Sequence, residues 1–348
     1  MILKFVPAKL RTCWYFSALL LTFFSCGDPR KEDEKKEVTI QSKSVLRFEQ
    51  DLFSDSLTMG ARSKFLSEKY GSFFDLFIWQ LTRLGDRDSA EQEQNLQAFV
   101  SDTNFRAVYA ACNAKYSDFD DYDRRLQLAF ARYKEKFPDR TVPQLLTTIS
   151  VFSYPIICDS SHLAIALDMY LNPESRFYPT LEPPLPAYLQ RRMTKEYIVS
   201  DAMKGWLQSD FMPDELEADL MEQMVAAGRI QYAISILLPD EPDSITSGYT
   251  ASQLDWCSKN ESKVWSFFID NKLLYTKDPN VMMKYVGEGP TTNGFPKESP
   301  GNIGQFIGLR IVQSYMKQHP EITLQQLMEW KDLHQLFQES RYKPKRSN

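Results

Sequence analysis

The sequence predicts a mainly α protein of the α+β class, a helical domain with one small antiparallel β-hairpin. Apolar residues recur at helical spacing along most of the chain. One stretch breaks that rhythm: residues 145–171 are rich in β-formers and bend about a polar turn. The composition, 43% hydrophobic and 25% charged over 348 residues, suits a globular chain long enough for a sizeable core. It excludes a collagen-like fibre, a disordered tail protein and a polytopic membrane protein. With Lys+Arg at 41, Asp+Glu at 46 and a net charge of -5, no basic excess points to nucleic acid as a partner.

Residues 1–25 read as a signal peptide. Lys4, Lys9 and Arg11 form a basic lead without an acid, and Cys13 to Phe24 is a largely apolar run. A spanning helix needs about 20 apolar residues, so this run fits a secretory segment and not a stable span. Ser25-Cys26-Gly27 follows directly and resembles the lipobox of bacterial lipoproteins, in which the peptide is cut before the cysteine and the thiol carries lipid. A cleaved signal with an incidental cysteine, or an uncleaved anchor, are the alternatives. One acyl chain holds only marginally at about 0.8 kcal/mol per buried methylene, whereas two or three chains on Cys26 make a stable anchor. Residues 26–44 then form the acylated cysteine and a tether. Its charged run, Asp28 to Glu37, cannot bury apolar surface and stays solvated. Acids soon after the cysteine resemble the surface-export signal of Bacteroidota lipoproteins, with a plain spacer as the other reading.

Within the fold, Asp118-Phe119-Asp120-Asp121-Tyr122-Asp123 opens a helix through Leu126, Leu128, Ala129 and Tyr133 that Phe137-Pro138 stops. Acids in a first turn complement the helix dipole. A calcium loop is excluded, because its required glycine position holds Asp123 and its last ligand position holds Ala129. The hairpin comes next, its arms Leu145 to Asp159 and His162 to Leu171 bracketing Cys158-Asp159-Ser160-Ser161. Pro179, Pro183, Pro184 and Pro186 then mark a seam, dividing an N-terminal helical part with the hairpin (45–180) from a C-terminal helical part packed on it (181–348). Pro213 to Leu238 carries Leu216, Leu220, Met224, Ala227, Ile234 and Leu238 at helical spacing. Thr250 with Gln253, and Thr323 with Gln326, have the spacing of capping boxes. The second is expected to start one helix running through Leu327, Trp330, Leu333 and Phe337. Pro300-Gly301-Asn302 launches a stripe of Ile303, Ile307, Ile311 and Tyr315, on which Gly304 and Gly308 form a GxxxG suited to close helix packing.

No local pattern assigns catalysis. A catalytic zinc needs three protein ligands, commonly including two histidines a helical turn apart. The histidines are His162, His319 and His334, and none has a histidine partner at that spacing. His334 rides a polar C-terminal helix, with Gln338 one turn on and Glu339 too far round, and reads as a solvated surface histidine. HExxH, GxSxG, GxGxxG and a Walker loop are all missing. Ser314-Tyr315-Met316-Lys317 and Ser340-Arg341-Tyr342-Lys343 have SxxK spacing, but no KTG completes an acyltransferase site. Cys158 and His162 are close in sequence, yet nothing nearby would lower the thiol pKa. Cys112, Cys158 and Cys257 lack CxxC spacing and read as buried small apolar residues.

A resemblance covers nearly the whole mature chain, from about Val45 to Pro344. Val45-Leu46-Arg47-Phe48-Glu49, Asp51-Leu52-Phe53, Tyr70-Gly71-Ser72-Phe73-Phe74, Phe137-Pro138-Asp139 and Val142-Pro143 occur in order. Leu163 to Leu171, Met224 to Arg229, Leu237-Leu238-Pro239-Asp240, Trp256-Cys257, Ile303 to Gly308 and Tyr342-Lys343-Pro344 complete the set. The ordered set resembles the gliding-motility lipoprotein B (GldB) family of Bacteroidota. That resemblance implies a lipid-anchored envelope protein required for gliding and coupled to a protein-secretion apparatus, with no known reaction. The architecture is also distantly similar to gluzincin-type zinc peptidases, whose HExxH and Glu-Gly stretches compare with Tyr197-Ile198-Val199-Ser200-Asp201 and Ala227-Gly228. Neither histidine position holds an imidazole and alanine replaces the glutamate, which implies a degenerate zincin-like scaffold that has lost its metal.

The expectation is therefore a non-catalytic lipoprotein without cofactor or metal. Its partners are the membrane, through lipid on Cys26, and other envelope or gliding-machinery proteins. Asp168, Asp201, Arg229, Gly304 and Gly308 are the candidate partner-binding residues. The outer membrane is favoured over the inner, with the face left open. An envelope hydrolase working through carboxylates such as Asp168 or Asp201 is the alternative, and a glycan-binding lipoprotein a third.

Overall fold

A computed structural model describes residues 44–85, 89–212 and 218–344. The expected signal segment, Cys26, the expected tether through residue 43 and the stretch 213–217 with Leu216 lie outside the described residues. A short strand β1 (Leu46–Arg47) leads into α1 (Phe48–Leu52), α2 (Met59–Tyr70) and α3 (Ser72–Leu76), which runs on as a π turn. Next come α4 (Ala90–Ser101), α5 (Thr103–Lys115) and α6 (Asp120–Lys136). The remaining strands are β2 (Gln144–Thr148), β3 (Ile156–Cys158) and β4 (His162–Ala166). After them lie α7 (Ala187–Gln190), α8 (Ile198–Phe211), α9 (Leu220–Leu237), α10 (Asp243–Ser247) and α11 (Ala251–Asp270). The chain closes with α12 (Pro279–Val286), α13 (Ile303–Gln318), α14 (Leu324–Glu329) and α15 (Leu333–Ser340).

The class is mainly α with one small sheet, as the sequence predicts, but the sheet is mixed. Its order is β1-β2-β4-β3, with β1, β2 and β4 parallel and only β3 antiparallel to β4. The expected first arm of the hairpin is in fact two strands, β2 and β3, lying on opposite edges of β4. Asp168 explains the split. Its fully buried carboxylate accepts hydrogen bonds from the backbone N–H groups of Ser150 (3.0 Å) and Phe152 (2.7 Å). Those bonds hold Val151 and Phe152 in the left-handed region, at φ 56° and 59°, where side-chain-bearing residues rarely sit. The chain turns there and returns as β3, leaving a tight β3–β4 hairpin whose turn Asp159 closes by accepting from the amides of Ser161 and His162.

Several helices start where their sequences say, but the helix expected from Pro213 starts at Leu220, after the Asp219 cap. Asp120, Asp121 and Asp123 occupy the first turn of α6 and Lys134 and Lys136 its last, matching the dipole at both ends. Capping boxes open α11 at Thr250 and α14 at Thr323, and a third opens α9 with Asp219 and Glu222. The last predicted helix, however, is two. It breaks after Glu329, where buried Arg229 donates to the carbonyls of Leu327, Met328 and Trp330, and Asp332 caps a fresh start at Leu333 by accepting from the Gln335 amide.

Helix α9 is buried on nearly every side and forms the spine of the C-terminal half. It crosses α13 so closely that a Cβ on Gly308 would lie 1.6 Å from the Met224 carbonyl oxygen, and one on Gly228 would lie 2.2 Å from Gly308. Helix α8 lies against β3 and β4, where a Cβ on Gly205 would meet Ile156 at 2.6 Å. Residues from both sides of the proline seam share one core cluster, and the described residues fall in one compact unit. No helix among the described residues is long and apolar enough to cross a membrane.

Candidate functional site

The most site-like region lies among α8, α9, α12 and α13. Helix α8 carries Asp201 in its first turn and Lys204 one turn on. Arg192 ties the region together, its Nη2 on Asp201 Oδ1 and its Nη1 on Glu288 Oε1, both at 3.1 Å. Tyr170 donates its hydroxyl to the other Asp201 oxygen at 3.1 Å. Burial pulls the Arg192 pKa down, but the two carboxylates outweigh it and hold the guanidinium above its ordinary range. Burial, reinforced by Asp201, pushes the Tyr170 phenol well above its own, so it stays a donor.

Beside this network lies a cavity of about 330 Å³. Lys204 and Gln208 come from α8, Ile230 from α9, Met282 and Met283 from α12 and Gln305 from α13. The described wall holds two ammonium groups, Lys204 and Lys277. Burial lowers the Lys204 pKa, and Arg192 lowers it further against weaker support from Glu288 and Asp201.

A second cluster sits at the start of α9, where His334, still 40% exposed, gains acidic partners that the sequence reading did not give it. His334 Nε2 lies 3.1 Å from Asp219 Oδ2 and 3.7 Å from Glu222 Oε1, and its ring stacks on Tyr275 at 5.7 Å. The three groups offer one ligand atom each within 4.8 Å of one another. The remaining oxygens, Asp219 Oδ1 and Glu222 Oε2, are taken by the capping box. Burial raises the Asp219 carboxyl above its ordinary value although the Glu222 amide and His334 pull it down. Local spacing around His334 carries no sign of these partners, because they come from another helix. The capping-box spacing of Asp219 and Glu222 is the one part visible in the sequence.

The sequence-derived candidates do not converge. Asp201 is bonded to Arg192 and lies one turn before the cavity-lining Lys204 on α8, outside the cavity wall itself. Asp168 is at the sheet turn, where burial pushes its carboxyl up to about 6 against the hydrogen bonds from Ser150 and Phe152. Arg229 is buried among the α14 carbonyls, and burial draws its guanidinium down to about 10. Gly304 and Gly308 face backbone, with Tyr285 O 2.8 Å from a Cβ on Gly304. Of the stretches that the sequence compares with zinc peptidases, a resemblance that no comparison supports, Ile198–Asp201 forms the first turn of α8, Ala227 lines the cavity and Gly228 meets Gly308.

Nucleophilic chemistry finds no support in this geometry. Cys112 and Cys257 are buried free thiols. Cys158 is half-buried, and burial pushes it up to about 11, away from the thiolate. His162 pairs with Asp159 at 3.0 Å and lies 3.3 Å from Ser72 Oγ. Both contacts use Nδ1, whereas a relay needs the serine and the acid on opposite ring nitrogens.

A comparison with family models places residues 28–344 in the family described as gliding motility protein GldB. No curated protein and no solved structure matches the chain. The match spans almost the entire length beyond residue 27, and the chain belongs to the GldB gliding-motility family.

Proposed function

We propose that the protein is a lipid-anchored cell-envelope component of the gliding-motility and associated secretion machinery of a Bacteroidota-type cell, held by acyl chains on Cys26 and acting by binding without catalysis. The observation that carries this reading is the extent of the family match, which begins at residue 28, just after the lipidation candidate. On this reading the fold is a peptidase-like scaffold reused for binding, with Tyr197, Asp201 and Ala227 in place of metal ligands; Asp201 is bound to Arg192 and Tyr170. The outer membrane is the favoured site of the anchor, and Asp201, one turn before the cavity-lining Lys204 on α8, is the candidate residue best placed to influence a partner.

Fractionation of cells tests the anchor. Cys26→Ala should move the protein out of the membrane fraction, since loss of two acyl chains removes well over 10 kcal/mol at about 0.8 kcal/mol per methylene. Retention in the membrane would sink the lipid anchor. For the absence of catalysis, the check is elemental analysis combined with a peptide-cleavage assay. Stoichiometric zinc and cleavage abolished by a chelator would restore the hydrolase reading.

A further inference from the structure

We infer that Asp219, Glu222 and His334 form a zinc site that clips α15 to the start of α9. The donor atoms come from segments far apart in the chain: Asp219 Oδ2 and Glu222 Oε1 at the start of α9, and His334 Nε2 on α15. The nitrogen lies 3.1 Å from the first oxygen and 3.7 Å from the second, and all three atoms fall within 4.8 Å of one another. In a tetrahedral zinc site with bonds of about 2.0–2.1 Å, neighbouring donors stand about 3.3 Å apart, between the two measured separations. A hydrogen bond explains less of this geometry. One ring N–H points at one acceptor and serves Asp219, whereas the Glu222 oxygen at 3.7 Å is beyond its reach. An ion among the three atoms reaches all of them.

Each donor is also held from behind. The Glu222 amide donates to Asp219 Oδ1 and the Asp219 amide to Glu222 Oε2, both at 3.0 Å, which leaves the other oxygen of each carboxylate turned to the imidazole. Ligating carboxylates carry outer hydrogen bonds of this kind. The Tyr275 ring stacks on His334 with an interplanar angle of 21° and fixes the plane in which Nε2 points. Asp219 is only 4% exposed, so water does little to stabilise its charge. Two positive influences oppose an ion here. The start of α9 carries about half a charge, and the two capping oxygens already face it. Lys277 acts on Asp219 more weakly than His334 or Glu222 does. The two carboxylate charges exceed both.

Donor chemistry selects the metal. One imidazole with two carboxylates suits zinc and its transition-metal neighbours. Calcium takes about six to eight oxygens and magnesium an octahedron of them, so a ring nitrogen disfavours both. Because the ion is shared by two helices, its binding free energy adds to the stability of the fold. The site is separate from Tyr197–Asp201 and Ala227–Gly228, and it is independent of the Cys26 anchor.

Zinc chloride titrated into the chelator-treated, full-length protein in a nonionic detergent tests the assignment by calorimetry, with magnesium and calcium as comparison ions. One zinc should bind per chain at about micromolar affinity or tighter and raise the thermal midpoint, whereas the other two ions do neither. Asp219→Asn and His334→Ala should each weaken zinc by at least about 100-fold. Asparagine caps a helix as well as aspartate does, so Asp219→Asn keeps the start of α9, and its zinc-free midpoint should match that of the wild type. His319→Ala, on a histidine that instead faces Glu321 at 3.4 Å, should leave zinc binding unchanged. Cobalt in place of zinc should give the strong visible absorption of tetrahedral coordination in the wild type and lose it in His334→Ala. No zinc binding, or zinc held equally by folded Asp219→Asn and His334→Ala, would overturn the site and leave only a hydrogen-bonded pair. That result leaves the lipoprotein reading standing, and zinc bound without peptide cleavage supports the site without reviving a hydrolase.

Discussion

Asp168 shows how one side chain redirects a strand. Its carboxylate is fully buried, yet it is spent on two backbone amides that would otherwise be orphaned at a left-handed turn. Burial holds its pKa at about 6, against an ordinary 3.8. The folded protein therefore binds this proton more tightly than the unfolded chain does. The group's contribution to stability is complete below its unfolded value and is lost as pH rises through its folded one. The stability advantage of the wild type over Asp168→Asn should shrink between about pH 4 and about pH 7, by up to about 3 kcal/mol at about 1.36 kcal/mol per unit. Urea unfolding at the two pH values measures it, and a constant difference would show that the carboxyl is not shifted. Arg229 is the basic counterpart: a cation placed in the core to receive helix-end carbonyls, visible in the sequence only as a charge inside an apolar stripe.

Among the elements, the crossing of α9 and α13 organises the C-terminal half. Small residues let the two backbones touch, and buried Met224, Val225, Ile307 and Ile311 pack around the crossing. A methyl group at Gly308 has nowhere to go, since it would overlap the Met224 carbonyl oxygen at 1.6 Å. Gly308→Ala should force the helices apart and destabilise the fold by about 3 kcal/mol or more. Thermal unfolding reads this directly, and an unchanged midpoint would mean that the crossing is looser than described. The same substitution at Gly60, whose nearest neighbour is a side-chain oxygen at 3.6 Å, makes the matched control. Helices α14 and α15 teach a related lesson. Their apolar spacing is continuous, and the break between them falls where Arg229 takes up the freed carbonyls.

Taken as a whole, the folded unit joins both sides of the proline seam in one core, with α6 and the sheet packed against α8. A chain divided into two independent domains at the seam would unfold in two steps. This one should show a single cooperative transition, with far-ultraviolet circular dichroism and tryptophan fluorescence coincident in urea. Separate transitions would argue for two folding units. The Lys204 cavity is also a property of the whole, since its walls come from four helices, α8, α9, α12 and α13.

The sequence by itself determined what depends on neighbours along the chain. Acid-rich first turns, two of the three capping boxes, the β-rich stretch, the tight Gly304–Gly308 spacing and the signal-like N-terminus are all written within a few residues of one another, as are the ordered fragments that point to the family. Tertiary structure alone decided which edge of β4 each strand took, where the last helix broke, and which acids faced His334. Each of those outcomes is a meeting between segments far apart in sequence, where burial and unsatisfied hydrogen-bonding groups, acting through space, outrank local preference.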